Sequence, residues 1–319
     1  MMGTPPLRAR LRGGAKYTQP MPHPLPFRYR VVDVFTRNAL EGNPLAVFPD
    51  ASDIDPAWMP RIAKELNLSE TVFVLPSSRE GCVRRLRIFT PASELPFAGH
   101  PTVGSAFVLR HEGMIPAGQN RFLLDEKIGP IAVRIEAGER PLIWLRTPRI
   151  EHGRRYDPSA CAEALGVERS DLLDVEPQVV SAGNPMLFIP LRSKEAVDRA
   201  FLDMRGLRRI KGTDHDPGAV FVFAPTPEGA YSRMFGPEHG VVEDPATGSA
   251  TGPLASYMLR HGMVAPALGN RFVSEQGTKM GRRSILHIQL AREGGEEVIE
   301  VGGYVTPLIE ATMNLSGLA

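Results

Sequence analysis

Cysteine is nearly absent: the 319-residue chain has two, Cys82 and Cys161, far apart and without His or Cys at ligand spacing. That argues against a disulfide framework and against a structural zinc site, and makes a reducing cytoplasm the expected compartment. No apolar run approaches the length of a membrane span. Residues 1–26 hold no acidic side chain and no apolar core of a secretory signal, and their prolines break any amphipathic transit helix. They are expected to form an N-terminal extension to the fold. Charge of one sign is also missing, with 37 Lys and Arg against 36 Asp and Glu. With no basic stripe and no zinc-finger, RRM or helix-turn-helix signature, nucleic acid is not an expected partner. Neither a Gly-Lys-Ser/Thr phosphate loop nor a Gly-x-Gly-x-x-Gly fingerprint occurs, so no nucleotide cofactor is expected. His215 sits between Asp214 and Asp216, but the segment lacks the EF-hand pattern, and the reading is a solvated loop with no metal.

What is present is a soluble globular composition, 42% hydrophobic, enough for one large or two medium domains. The chain is organised around Glu94-Leu95-Pro96-Phe97-Ala98-Gly99-His100-Pro101-Thr102, a tight turn from which apolar residues recur at helical spacing after Thr102. The first N–H groups of a helix lack intrahelical partners and lie at its positive end, so this turn suits a carboxylate or phosphate. Gly99 permits close backbone approach, and His100 adds a group that titrates near neutrality. A second stretch, Glu243-Asp244-Pro245-Ala246-Thr247-Gly248-Ser249, has the same build.

Folded sequence is expected from Phe27, where Arg28 to Phe35 alternates as a strand does. Gly42-Asn43-Pro44 then turns into a second strand, Trp58 to Leu66 carries helical spacing, and Glu70 precedes the apolar strand Thr71 to Leu75. Later residues repeat this order. Gly183-Asn184-Pro185 echoes Gly42-Asn43-Pro44, Ala219 to Pro225 echoes Thr71 to Pro76, and Arg233 to Pro237 echoes Arg87 to Pro91. Leu259-Arg260-His261 echoes Leu109-Arg110-His111, and Asn270-Arg271-Phe272 echoes Asn120-Arg121-Phe122. Five echoes in one order, offset by about 140 to 150 residues, point to an internal duplication. The expected halves are residues 27–145 and 146–304, with residues 305–319 packing back on the first and a ligand cleft between them. In this register Glu70 has its mate near Gly218, and Asp244 lies roughly opposite Glu94.

These motifs, with Leu68-Ser69-Glu70-Thr71 and Glu275-Gln276-Gly277, resemble the phenazine-biosynthesis PhzF family of isomerase-like proteins, from about Phe27 to the C-terminus. The resemblance implies an α+β fold of the diaminopimelate epimerase type: two pseudo-symmetric halves, each a mixed sheet or barrel around a central helix. It further implies that Glu70 transfers a proton, that Gly99, His100, Asp244, Gly248 and Ser249 shape the pocket, and that the protein is a homodimer without a cofactor.

The residue types alone leave alternatives beside each role. Glu70 is either a carboxylate desolvated in a cleft, able to act as base and acid, or an ordinary turn glutamate. Asp244 hydrogen-bonds substrate or tunes its neighbours, or caps the following helix. His100 is an acid/base partner or a loop donor. Ser249 has no base and orienting acid at a recognisable spacing, so it reads as a carboxylate binder and not a nucleophile. Three functions compete: a cofactor-independent isomerase acting through Glu70 on a small carboxylate, a two-base racemase or epimerase, and a silent binding protein. The racemases of this fold use paired cysteines in the two helix-start turns, where this chain has Ala98 and Ala246-Thr247.

Overall fold

The structure is a computed structural model and describes residues 26–211, 217–293 and 296–315. The expected extension and the Asp214-His215-Asp216 segment lie outside these, apart from Pro26. The chain first runs through β1 (Phe27–Val34), β2 (Asn43–Phe48), α1 (Met59–Leu66), β3 (Glu70–Leu75), β4 (Cys82–Phe89) and the two-residue β5 (Glu94–Leu95). It continues with α2 (Gly99–His111), β6 (Arg121–Glu126), β7 (Gly129–Glu136), β8 (Leu142–Arg146), β9 (Glu151–Arg155), α3 (Pro158–Leu165), β10 (Gln178–Ser181) and β11 (Met186–Pro190). After α4 (Lys194–Arg199) and α5 (Met204–Lys211) come β12 (Val220–Thr226), β13 (Gly229–Gly236), β14 (Val241–Asp244) and α6 (Gly248–Arg260). The last strands are β15 (Arg271–Gln276), β16 (Ser284–Glu293), β17 (Glu296–Gly303) and β18 (Val305–Met313).

Strand pairing makes the duplication explicit. Antiparallel β1–β2, parallel β2–β3 and antiparallel β3–β4 are matched by β10–β11, β11–β12 and β12–β13 in the same senses. The parallel pair β4–β6 has its twin in β13–β15, and the meander β6–β7–β8 its twin in β15–β16–β17. The halves join where β8 lies antiparallel to β17. Beyond that junction β18 pairs with β1, from Phe27 opposite Met313, and β9 pairs with β10. The fold is thus α+β, one continuous sheet of 18 strands in two pseudo-symmetric halves of the diaminopimelate epimerase type, each half wrapped around one helix.

Those helices are α2 and α6. Both are apolar or small on every side, which suits a helix enclosed by sheet and not one lying on a surface. Val103, Ala106 and Leu109 of α2 pack among Val32, Leu45, Val72 and Leu86, while Leu254, Tyr257 and Met258 of α6 pack among Phe188, Phe221 and Phe223. Gly104 lets α2 sit against β2, since a Cβ there would meet Leu45 at 2.6 Å. α2 starts at Gly99, ahead of its apolar spacing, and α6 at Gly248, so His100 and Ser249 lie in their first turns. Proline is tolerated there because its missing N–H would have had no intrahelical partner, so Pro101 does not delay α2. Among the described residues no helix is long and apolar enough to cross a membrane.

Candidate active site

The N-termini of α2 and α6 meet backbone to backbone. A Cβ built on Gly99 would lie 2.4 Å from the Gly248 carbonyl carbon and 2.6 Å from Ser249 N, so only glycine permits this contact. The first intrahelical donors near the start of each helix are Thr102 N to Ala98 O and Ala250 N to Thr247 O. The N–H groups of Gly99, His100, Gly248 and Ser249 precede them, and two helix dipoles converge there. A cavity of about 150 Å³ opens at this junction. Glu70, Gly99, His100, Asp244, Gly248 and Ser249 all line it, with Leu95, Pro185, Met186, Met234 and Val241 as apolar wall. All six residues singled out from the sequence therefore come together.

Glu70 is the first residue of β3, whose parallel pairing to β2 sets it opposite Leu45. His100 Nε2 lies 3.0 Å from Glu70 Oε2. The approach is not aligned for a hydrogen bond, and both atoms are buried without another partner. An unsatisfied buried donor beside an unsatisfied buried acceptor costs stability unless something enters to bond them.

Asn43 fixes the other side of the imidazole. Its Nδ2 lies 2.7 Å from Asp244 Oδ1, 2.9 Å from Ala246 O and 3.2 Å from His100 Nδ1. Rotating the amide would set its oxygen against a carboxylate and a carbonyl, so the nitrogen faces this group. An amide nitrogen accepts nothing, so a proton on His100 Nδ1 would find no acceptor in it, which favours the ring proton on Nε2, on the side of Glu70.

Asp244 is buried and held on both oxygens, by Asn43 and by Thr247 Oγ1 at 2.5 Å. Gln276 Nε2 donates to Thr247 Oγ1 at 2.9 Å and to Asp244 O at 2.8 Å, so the Thr247 hydroxyl is left to donate to the carboxylate. Burial, and next the nearby Glu70 carboxylate, push the Asp244 carboxyl up to about 6, against the pull of His100, Thr247 and Asn43. Asp244 does not cap α6: the N-cap is Thr247, with no side-chain cap bond.

Pairing also corrects the register between the halves. Arg87 grips Glu94 through two bonds, and Arg233 grips Glu243 in the same way. Glu94 therefore corresponds to Glu243, which leaves Leu95 opposite Asp244, Ala98 opposite Thr247 and His100 opposite Ser249. Ala46 faces Thr71 as its mate Leu187 faces Val220, so the mate of Glu70 is Ala219, one residue past Gly218. Sequence reasoning passed over the polar frame of Asn43, Thr247 and Gln276. The repeated Gly-Asn-Pro was its one visible trace, because Asn184 Nδ2 donates to Phe97 O at 2.8 Å just as Asn43 donates to Ala246 O. Cys82 on β4 and Cys161 in α3 do not line the cavity, and burial pushes the Cys161 thiol up to about 12. Among the described residues no group of three or more His, Cys, Asp or Glu is arranged to hold a metal.

Comparison with known proteins gives a consistent result. The phenazine biosynthesis-like protein family model matches residues 32–311. The trans-2,3-dihydro-3-hydroxyanthranilate isomerase of Pseudomonas aeruginosa is 37% identical over 86% of this chain and 95% of its own length. A solved structure described as a predicted epimerase from Pseudomonas aeruginosa is 36% identical, with a TM-score of 0.75 over 90% of this chain and 98% of that one. The fold of a PhzF-family protein from Bacillus anthracis superposes with a TM-score of 0.80 at 22% identity, over 91% of this chain and 99% of that one.

Proposed function

The chain belongs to the phenazine biosynthesis-like protein family and is an isomerase, and from that premise we propose that it moves a proton between carbons of a small carboxylate-bearing substrate with Glu70 as the carrier. The observation that carries this reading is the pair of buried, unsatisfied atoms Glu70 Oε2 and His100 Nε2 at the cavity floor. The substrate carboxylate binds at the N–H groups of the two helix starts, with Ser249 adding its hydroxyl, and the reacting carbon lies over Glu70. Glu70 takes the proton as the C–H bond breaks. The electron pair enters the π system conjugated to the carboxylate, and the same proton then goes from Glu70 to another carbon on that face. His100, with Nε2 3.0 Å from Oε2, stabilises the Glu70 carboxylate in each resting state by its proximity. Trans-2,3-dihydro-3-hydroxyanthranilate, the compound in the names of curated relatives, is the first substrate to assay.

A single carrier is favoured over two opposed bases because neither cysteine reaches the cavity and the helix-start turns offer Ala98 and Thr247 instead. Glu70→Gln keeps size and hydrogen bonding but removes titration, so kcat is expected to fall by about 10² to 10⁴ with substrate binding nearly intact. In D₂O the product should retain part of the substrate's own hydrogen, whereas a two-base route deposits solvent deuterium. Full turnover by Glu70→Gln would end this mechanism.

A further inference from the structure

One buried acid has no part in that chemistry. Glu126 ends β6 beneath the turn that starts α2 and is 2% exposed. Its Oε1 lies 2.5 Å from Thr102 Oγ1, which itself lies 2.7 Å from Ala98 O. A hydroxyl has one proton, and the Ala98 carbonyl can only accept it. With the hydroxyl proton directed to Ala98 O, the short contact with Glu126 is completed by a proton on the carboxyl; a carboxylate would instead have to draw the hydroxyl proton away from Ala98 O, which would keep only the Thr102 N–H. The Ala98 N–H reaches the same carboxyl group, while Oε2 is buried with no partner. No cation faces it among the described residues. The charged neighbour is Asp125 on its own strand, bonded by Arg79 at 2.7 Å and paired across to Arg85 of β4. From β7 the residue opposite is Gly129, and α2 presents Thr102.

The second half contains the matching group in a form that never ionises. Aligning Arg121-Phe122 with Arg271-Phe272 sets Gln276 in the place of Glu126, each the last residue of its strand. Gln276 Oε1 accepts from Thr247 N at 3.1 Å, as Glu126 accepts from Ala98 N, and its amide nitrogen donates to Thr247 Oγ1 and Asp244 O. A protonated carboxylic acid offers the same acceptor and donor that an amide does, and a carboxylate does not.

We propose that Glu126 is a positioning residue held as a neutral carboxylic acid, donating to Thr102 and accepting from Ala98 N–H, which fixes the Ala98-Gly99-His100 turn and so aims His100 at Glu70. Burial, offset in part by the polar contacts with Thr102 and Ala98 and reinforced by Asp125, pushes this carboxyl up to about 8. The turn is therefore locked at neutral pH and loosens in mildly alkaline solution.

Although it concerns the site assigned above, this inference is testable without substrate, so its failure is separable from failure of the proton-transfer reading. The full chain is labelled with ¹³C at glutamate carboxyls and ¹⁵N in histidine rings, and NMR spectra are followed from pH 5 to 10. One carboxyl resonance, missing in Glu126→Gln, should remain in the protonated position at pH 7 and titrate near 8. Between pH 7 and 10, above the Asp244 titration, the His100 ring resonances should shift with that of Glu126 in the wild type, show no such step near pH 8 in Glu126→Gln, and be displaced already at pH 7 in Glu126→Ala. If Glu126→Ala does not fold, the wild type and Glu126→Gln still decide. A Glu126 carboxyl that titrates in the ordinary carboxylate range, or a Glu126→Gln spectrum whose His100 signals are displaced at pH 7, overturns the proposal.

Discussion

The turn that starts α2 and the turn that starts α6 descend from one segment, and they differ almost entirely in the atoms that face the cavity. What is shared is frame. Arg87 and Arg233 each hold a glutamate in two bonds, Thr102 and Thr251 each donate back to the N-cap carbonyl, and Asn43 and Asn184 each donate across to the other half. What differs is chemistry. The first half supplies Glu70 and His100 where the second has Ala219 and Ser249, and the second supplies Asp244 and Thr247 where the first has Leu95 and Ala98. A duplicated scaffold has thereby become one asymmetric site. Glu70 and His100 have no titratable counterparts at Ala219 and Ser249, an asymmetry that the proposed single carrier uses and a symmetric two-base reaction would not.

The contact between the helix starts offers the strongest way to break this comparison. Gly99→Ala sets a Cβ 2.4 Å from the backbone of Gly248, which no side-chain rotation relieves, while Gly248→Ala meets Gly99 and His100 at 3.0 Å. Alanine favours a helix by about 1 kcal/mol over glycine, so any loss is a packing loss. Overpacking of this severity is expected to cost Gly99→Ala about 3 kcal/mol and most of its activity, against about 1 kcal/mol for Gly248→Ala. Denaturant midpoints with unchanged slopes check this. Equal effects would mean that the two backbones approach each other symmetrically.

A second difference is electrostatic. Asp244 titrates where its counterpart Leu95 cannot, and its folded value of about 6 stands above the ordinary 3.8. A carboxyl raised on folding contributes stability that is fully present below about pH 4 and is lost as pH rises through about 6. The span is up to about 3 kcal/mol at 1.36 kcal/mol per unit. Wild type is therefore expected to gain on Asp244→Asn as pH falls from 7 to 4, read as the difference between their denaturation midpoints. If that difference stays flat, Asp244 is not the group that titrates.

The duplication was legible because Gly42-Asn43-Pro44 and Gly183-Asn184-Pro185 punctuate the backbone in ways few other residues can, and the helix-start turns because glycine and proline cluster there. α2 begins three residues before Thr102, where the apolar spacing starts, because Gly99, His100 and Pro101 add no large apolar side chain to the period and a proline in the first turn displaces no helical bond. Which edge a strand joins leaves no local trace: Phe27 and Met313 pair across nearly the whole chain, and the periodicity of β18 is silent on its partner. Glu70, His100 and Asp244 stand out through motifs that resemble those of the PhzF family, since residue type alone also allowed a turn glutamate, a loop donor and a helix cap. Asn43 and Gln276 do not, because uncharged amides occur in turns of every kind and show their purpose only when their partners from the other half are in view.

The smallest expected effect separates the two asparagines. Each spans the halves through one carbonyl, so the bonds at 2.9 Å and 2.8 Å contribute to holding them together on equal terms, about 1 kcal/mol each. Asn184 is half-buried, and water can serve Phe97 O once its side chain is gone. Asn184→Ala should accordingly lower stability by about 1 kcal/mol and leave the proton of the His100 ring on Nε2. Asn43 is fully buried, and its amide nitrogen donates its two hydrogens to Asp244 Oδ1 and Ala246 O while lying 3.2 Å from His100 Nδ1. In Asn43→Ala the stability loss should be larger, and His100 should no longer hold a single tautomer, which ring ¹⁵N shifts report directly. Should Asn184→Ala disturb the imidazole as much as Asn43→Ala, the frame is shared more deeply than these contacts imply, and the chemistry does not reside in one turn alone.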